Sequence, residues 1–115
     1  MPSAIAPGET LPVTLAWRAE RETEARLKVF AHLLDDDGNV IAQHDAEPAN
    51  WERPTTSWVA GEYLLDAHLL AIPGTMPAGT YAVVVGLYDS ETGQRLMTET
   101  GADQQRLAER IEITP

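Results

Sequence analysis

Large apolar residues occupy every second position over residues 11–18, the first strongly patterned stretch of the chain. They are Leu11, Val13, Leu15 and Trp17. Because successive side chains of a β-strand point to opposite faces, these four share one face, and the pattern predicts a half-buried strand. We expect Trp17 to be buried as the last member of that face. Pro12 has no N–H, which places it at the start of the strand or at a sheet edge.

Further strands are predicted between turn signals. They are Leu27–Leu34, Val40–His44, a strand around Tyr63–Leu70, Tyr81–Asp89, Gln94–Glu99 and Ala108–Thr114. Asp35–Asn39 turns one strand into the next, and Ser90–Gly93 forms a hairpin loop in which Gly93 supplies a positive φ. Residues 45–57 are expected to form one loop, which is longer than most connections between strands.

The strongest strand signal is Tyr81–Asp89, which contains three consecutive valines after a turn that ends at Gly79. Sandwich folds often place a tyrosine here whose hydroxyl bonds to nearby backbone, so we expect Tyr81 to anchor the core. About seven short strands without a long helix predict an all-β fold. The predicted architecture is an immunoglobulin-like sandwich of about seven antiparallel strands in two sheets, forming one domain over residues 1–115.

Charge narrows the range of partners. The 115 residues include 8 Lys and Arg against 18 Asp and Glu, a formal net charge of −10. Such a surface repels nucleic acid and anionic membranes, so neither is an expected partner. The chain has no cysteine, which excludes disulfides and thiolate chemistry. No apolar run reaches the roughly 20 residues that cross a bilayer, and Met1–Ala4 suggests a cut made within a longer protein.

Metal and catalytic motifs are weak. Asp35, Asp37 and Asn39 resemble the start of a calcium loop, but its sixth and twelfth positions hold Val40 and Ala46 instead of Gly and Glu. A plain hairpin turn is therefore favoured.

The three histidines, His32, His44 and His68, lie on or beside predicted strands. Two facing strands could bring a pair together around a metal, but hydrogen-bonded strand histidines are the favoured interpretation. No serine sits in a glycine-flanked elbow. We therefore expect no catalytic residues, no metal and no cofactor, and a domain that is not itself an enzyme.

The best ligand candidates surround the long loop. They are Trp51, Trp58, Arg53, Glu52 and Asp45. Aromatic rings stack on the C–H faces of sugars, and neighbouring polar groups bond to hydroxyls, so the set is what a carbohydrate contact would need. The interpretation favoured for the tryptophans themselves is structural, in which Trp58 caps the core and Trp51 pins the loop. The two interpretations differ in whether Trp51 is exposed.

An ordered set of motifs spans nearly the whole chain, from Pro7 to Ile113. The set comprises Pro7-Gly8-Glu9, Leu15-Ala16-Trp17, Val29-Phe30-Ala31-His32-Leu33-Leu34-Asp35 with Gly38, Pro54-Thr55-Thr56-Ser57-Trp58, Gly61-Glu62, Pro77-Ala78-Gly79-Thr80-Tyr81, Val85-Gly86-Leu87-Tyr88-Asp89 and Thr92-Gly93-Gln94-Arg95-Leu96. It resembles the soluble C-terminal β-sandwich domain of predicted bacterial membrane glycosyltransferases of the protein-mannosyltransferase-like type.

The resemblance implies a non-catalytic, extracytoplasmic accessory domain whose partner is the rest of a parent membrane protein, with a glycan as the expected ligand. No catalytic residue is carried over, because the transferase chemistry of such proteins belongs to their membrane-embedded part. A structural or protein–protein interaction module without a small-molecule ligand is the alternative. The sequence does not predict an oligomeric state.

Overall fold

The computed structural model describes residues 2–97 and 100–115. Within them the chain forms seven strands and one short 3₁₀ helix (Thr55–Ser57). The strands are β1 (Ala4–Ile5), β2 (Thr10–Arg18), β3 (Leu27–Leu34), β4 (Val40–Ala46), β5 (Tyr63–Ala71), β6 (Gly79–Asp89) and β7 (Gln105–Ile113). One sheet has the order β1-β7-β6-β3-β4, and β2 pairs with β5 in the other. The all-β sandwich predicted from the sequence is confirmed.

The core lies between the two sheets and is built from alternate residues of each strand. It includes Leu11, Val13 and Leu15 of β2, Val29, Ala31 and Leu33 of β3, Leu70 of β5, Val83 and Val85 of β6, and Ile111 and Ile113 of β7. The alternation predicted for β2 is therefore correct in phase. Trp17 continues the same face but is only half-buried, because it lies where the core meets a second small cluster around Trp58.

Tyr81 anchors the core as predicted. Its ring is buried, and its hydroxyl donates a hydrogen bond of 2.7 Å to the carbonyl oxygen of Pro77. The bond ties the start of β6 to the turn that precedes it. The Tyr81 hydroxyl therefore fixes where β6, the longest strand, joins the five-stranded sheet.

Several strand boundaries differ from the prediction. β1 was not predicted, since a strand of two residues carries no periodic pattern, and it pairs with β7 in parallel rather than antiparallel fashion. After β6 the chain folds back only briefly: Leu96 N–H bonds to the Leu87 carbonyl, with an isolated bridge from Tyr88 to Arg95. The predicted strand Gln94–Glu99 is thus not formed up to Met97, and Thr98 and Glu99 lie outside the described residues.

Two further boundaries matter for the site. β7 begins at Gln105, three residues before the predicted start at Ala108. β4 continues through Ala46, so Asp45 lies on a strand and not on the long loop where it was predicted. The ladder with β3 explains this extension, because Asp45 and Ala46 pair with Phe30 and Val29.

The five-stranded sheet also packs apolar residues on its outer face, away from β2 and β5. Phe30 is fully buried there, opposite Gly86 of β6. A Cβ at Gly86 would clash with the Phe30 ring, so only glycine fits beneath it. The Arg95 guanidinium covers the ring from above, 4.2 Å from its centroid. The outer face is therefore a second packed surface, and polar side chains border it.

Candidate functional site

The connection between β4 and β5 contains three consecutive non-glycine residues with left-handed backbone. Ala49, Asn50 and Trp51 have φ values of 55°, 54° and 72°. Each such residue costs roughly 1–2 kcal/mol relative to right-handed geometry. Strain of this kind persists only where the surrounding structure holds it, and it concentrates at functional segments. This left-handed turn is the strongest backbone signal of a site in the molecule.

Hydrogen bonds at both ends hold the left-handed turn. The Trp51 N–H donates to the carbonyl of Glu47 at 3.1 Å, and the Glu52 N–H donates to the carbonyl of Ala49 at 3.1 Å. At its start, the Ala49 N–H donates to Oδ1 of Asp66 at 2.9 Å. Asp66 belongs to β5, so a strand of the opposite sheet fixes the position of the turn.

Asp66 is a fully buried carboxylate, and its environment compensates the charge with donors. Its Oδ2 accepts hydrogen bonds from Trp17 Nε1 at 3.0 Å and from His68 Nε2 at 2.6 Å. Together with the bond from Ala49, the carboxylate receives three donors from three segments of the chain. Burial alone raises the pKa of Asp66, but the bonds from His68 and Trp17 outweigh burial and hold the pKa below its ordinary value.

The network continues from His68 to His44 of β4. The two Nδ1 atoms lie 2.8 Å apart, and the ring planes meet edge to face. One Nδ1 must donate and the other accept, so protonating both rings at these atoms would set two N–H groups against each other. Burial lowers the pKa of His44, and repulsion from His68 lowers it further. Asp66, His68 and His44 therefore form one chain of hydrogen bonds, which we call the Asp66 network.

We expect the lowered pKa values of His44, in the Asp66 network, and of His32, on β3, to make the fold sensitive to mild acid. Burial also lowers the pKa of His32, with Asp45 acting in the opposite sense. Because His32 and His44 bind protons less readily when folded, the unfolded state takes up more protons below the ordinary value of 6.5. Stability is then fully present above that value and is lost as the pH falls through the lower folded pKa values.

We expect the midpoint of urea unfolding to decrease between pH 7.5 and 5.5, with a shallower decrease in His44→Gln. The Asp66 carboxylate does not account for this window, since its pKa is depressed from 3.8. A midpoint that is constant or rises on acidification would show that these histidines gain no protons on unfolding.

The left-handed turn presents Trp51 to solvent. Half of its surface (50%) is exposed, and the Lys28 ammonium lies 5.1 Å from the ring centroid. A cation at this distance is attracted to the face of an indole ring. Lys28 is on β3 and pairs across the ladder with Tyr88 of β6. Trp51 thus joins the outer face of the five-stranded sheet.

Polar groups surround that position. The Tyr88 hydroxyl donates to Asp45 Oδ2 at 3.0 Å, and His32 Nε2 lies 3.6 Å from Asp45 Oδ1. Burial and the neighbouring Asp45 carboxylate raise the pKa of Tyr88 to about 12, so its hydroxyl is protonated at neutral pH. Lys28, His32, Asp45, Trp51 and Tyr88 form a continuous polar and aromatic surface, which we call the Trp51 face.

The structure places the five sequence-predicted ligand residues in different surroundings. Trp51 and Asp45 lie on the Trp51 face, and Glu52 is exposed beside Trp51. Trp58 is 8% exposed and packs with Ala19 and Leu64, so its ring offers no open face.

Arg53 bonds to other parts of the fold through both its side chain and its backbone. Its guanidinium bonds to Glu62 Oε1 at 2.7 Å, and its carbonyl accepts the Trp58 indole N–H at 3.0 Å. Arg53 and Trp58 therefore close the loop. Trp58 therefore caps the core, which is the structural interpretation of that residue. Trp51, by contrast, is exposed, as a role in binding requires.

Sequence reasoning favoured a hydrogen-bonded strand histidine at His68, which is observed, but it missed Asp66 and its bond to His68, although a signal was present. Both alternate with Leu64 and Leu70, so they fall on the inward face of β5. An aspartate and a histidine on the same strand face as two core leucines must be buried. Buried charged groups need hydrogen-bonding partners, so the pattern indicates a buried hydrogen-bond network. The partner His44 lies 24 residues away and had no such local signal.

The remaining candidate motifs have structural roles. Asp35 Oδ1 accepts the N–H groups of Asp37 and Asn39, which makes the predicted hairpin turn and not a calcium loop. Across residues 2–97 and 100–115, no three histidines or acidic residues converge in a way that would hold a metal ion. In the same residues, no helix is long and apolar enough to cross a membrane.

Comparison of the chain with protein-family models, with curated proteins and with solved structures found no match. The likeness to the accessory domain of mannosyltransferase-like membrane proteins therefore remains a prediction from the motifs alone.

Proposed function

We propose that this chain is a non-catalytic accessory domain that contacts carbohydrate through the Trp51 face. The observation that carries the proposal is the strained left-handed turn, which holds a half-exposed tryptophan against the sheet. Strained backbone of this kind concentrates at functional segments, and this one ends on the exposed indole ring. Here the backbone cost of presenting it is offset by the buried Asp66 carboxylate.

The chemistry of the Trp51 face suits a sugar. The indole ring offers a flat surface for the C–H groups of a pyranose, and the Lys28 ammonium and Asp45 carboxylate offer a donor and an acceptor for hydroxyls. Glu52 is exposed next to Trp51 and adds a second acceptor. Because the face is open and buries little of a ligand, we expect affinities on the order of millimolar.

The non-catalytic part of the proposal is supported by burial. Asp66 and His68 have the composition of an acid–base pair, yet both side chains are fully buried and saturated with partners in the fold. A substrate cannot reach a group in that position. As part of the same proposal, and on the motif resemblance alone, we assign the domain to a membrane glycosyltransferase-like parent, on its extracytoplasmic side.

Titration with mannosyl and glucosyl oligosaccharides tests the proposal, followed by tryptophan fluorescence and amide chemical shifts. We expect weak saturable binding that Trp51→Ala abolishes. Tyr63→Ala is the matched control, because Tyr63 is an exposed aromatic residue on the other sheet. The proposal is wrong if no sugar causes a change, or if Trp51→Ala binds as the wild type does.

A protein-interaction module is the second candidate, and the outer face of the β2–β5 sheet favours it. Tyr63, Leu65 and Leu69 are exposed there by 73%, 74% and 59%. Arg18 is the single charged residue among the outward positions of these two strands, in a chain that is 23% charged. Contiguous apolar surface of this kind marks protein contacts. Partner binding that Leu65→Glu abolishes and Trp51→Ala preserves would select this candidate.

A further inference from the structure

Among residues 2–97 and 100–115, β5 is the single strand that pairs with β2, so the other edge of β2 is free within the described part of the chain. A cleft of about 520 Å³ opens beside that edge. Its apolar lining comes from Trp17, Val85, Leu87, Leu96, Met97 and Leu107. The cleft is bordered by β2 of the smaller sheet and by β6 and β7 of the five-stranded sheet, so a third strand added to β2 would lie along it.

The hydrogen-bonding phase of β2 shows which backbone groups face the cleft. Just before and just after the ladder, Ile72 N–H bonds to the Glu9 carbonyl and Ala19 N–H bonds to the Glu62 carbonyl. The register between them is continuous. Because antiparallel pairs alternate between bonded and non-bonded, the odd-numbered residues of β2 bond to β5. The N–H and C=O groups of Thr14 and Ala16 therefore point to the free edge.

Two other observations agree with that phase. Thr14 and Ala16 have exposed, outward-facing side chains, yet both residues border the cleft, which their backbone reaches at the strand edge. Pro12 is also an even-numbered residue, so its missing N–H would point to the free edge. A proline is tolerated in a strand at such a position because no ladder hydrogen bond is lost. Pro12 also limits the available edge to residues 13–18.

We propose that an extended segment of a partner polypeptide adds to β2 as a third strand, with apolar side chains at alternate positions that enter the cleft. The free N–H and C=O groups of β2 repeat every second residue, and the backbone of another extended peptide pairs with such a row. The occupant is therefore a polypeptide. Because the cleft lining is apolar, the side chains of the partner that enter the cleft should be apolar as well.

Charge selects the flanks of the occupant. The one charged residue of β2, Arg18, is at the end of the strand, and the acidic residue that borders the cleft is Asp103. The chain as a whole has a net charge of −10, which favours a segment with lysine or arginine at its ends. This site is separate from the Trp51 face and does not depend on the carbohydrate proposal.

The probe for the test is the peptide Lys-Lys-Val-Thr-Val-Thr-Val-Lys-Lys, and its control is N-methylated at both the central valine and the threonine that follows it. One of the two methyl groups then faces β2 whichever direction the peptide runs. Amide hydrogen exchange is followed by NMR on the intact chain. Without peptide, the Thr14 and Ala16 amides should exchange quickly, whereas the Val13 and Leu15 amides, which bond to β5, should be protected. With peptide, exchange at Thr14 and Ala16 should slow at least tenfold, and the methylated peptide should have no effect.

Two substitutions at one position separate backbone from side chain. Thr14→Pro removes an edge-facing N–H in the phase that Pro12 already occupies, and should weaken peptide binding about tenfold, the equivalent of one lost hydrogen bond. Thr14→Val keeps the N–H and should bind as the wild type does. If Thr14→Pro does not fold, the exchange measurement on the unaltered chain still decides the question.

Three results would overturn the proposal. The first is protection of the Thr14 amide in the free monomer, and the second is no slowing of exchange at millimolar peptide. The third is a dimer in sedimentation analysis that forms without peptide and disappears in Thr14→Pro, since a second copy of the chain would then be the occupant.

Discussion

Asp66→Asn is expected to lower the free energy of unfolding by about 3 kcal/mol, the scale measured when one member of a buried charged network is altered. Both carboxylate oxygens accept hydrogen bonds in the fold, from Ala49 at one oxygen and from Trp17 and His68 at the other. An amide has one acceptor oxygen, so its NH₂ group must face a donor. Urea unfolding at pH 7 measures the loss.

Asp37→Asn is the matched control, because Asp37 is an exposed aspartate in the turn between β3 and β4. It should change stability by no more than about 0.5 kcal/mol. Asp66→Asn should also alter the tryptophan fluorescence, since this carboxylate accepts both the Trp17 indole N–H and the Ala49 N–H of the left-handed turn. A loss below about 1 kcal/mol would mean that the Asp66 network contributes no more than an ordinary neutral hydrogen bond.

Trp17→Ala should lower the free energy of unfolding by about 3 kcal/mol, the lower end of the range for removing a large aromatic residue. The lower end applies because Trp17 is half-buried. Its ring packs against the main core and against the cluster of Trp58 and Leu64, so its removal opens both. Its indole N–H also donates to Asp66.

Trp17→Phe separates packing from hydrogen bonding, because it keeps an aromatic ring and removes the N–H donor. We expect a loss of about 1.5 kcal/mol, typical of a bond to a charged group. Chemical unfolding of both variants gives the comparison. Equal losses would place the whole effect in the hydrogen bond, and an unchanged midpoint for Trp17→Ala would contradict the assigned phase of β2.

Local patterns predicted the parts of the fold that depend on one strand at a time. The alternation of Leu11, Val13 and Leu15 gave the buried face of β2, and the position of Tyr81 after Gly79 gave its hydrogen bond to backbone. These features follow from the period of a strand and from turn chemistry. The hairpin at Asp35 was predictable for the same reason.

The candidate site depended on contacts that no local pattern contains. His44 and His68 meet because β4 and β5 lie at the same border of two different sheets, and the relative placement of sheets is not encoded in the period of either strand. The left-handed turn is equally hidden, since Ala49 and Trp51 rarely adopt positive φ and no glycine marks the position. Tertiary hydrogen bonds to Asp66 and Glu47 hold a conformation that the local sequence disfavours.

Exposure of Trp51 also required the structure. The sequence placed Trp51 in the long loop and Trp58 directly after it, and both were candidates for the ligand contact because both are tryptophans among polar neighbours. The bond from the Trp58 indole to the Arg53 carbonyl directs that ring inward, and the left-handed turn directs Trp51 outward over Lys28. Trp51 and Trp58 thus have opposite roles although they are only seven residues apart.

The central claim is that the Trp51 face is a carbohydrate-contacting surface. A residue-resolved NMR titration with mannosyl and glucosyl oligosaccharides tests it most directly, with the Trp51 indole N–H and the amides of Lys28, Asp45 and Tyr88 followed together. The account predicts saturable shifts confined to these residues and to the left-handed turn, with none at the exposed Tyr63 and Leu65 of β5. Shifts that are absent throughout, or that map to β5 and leave the Trp51 indole unmoved, would contradict it.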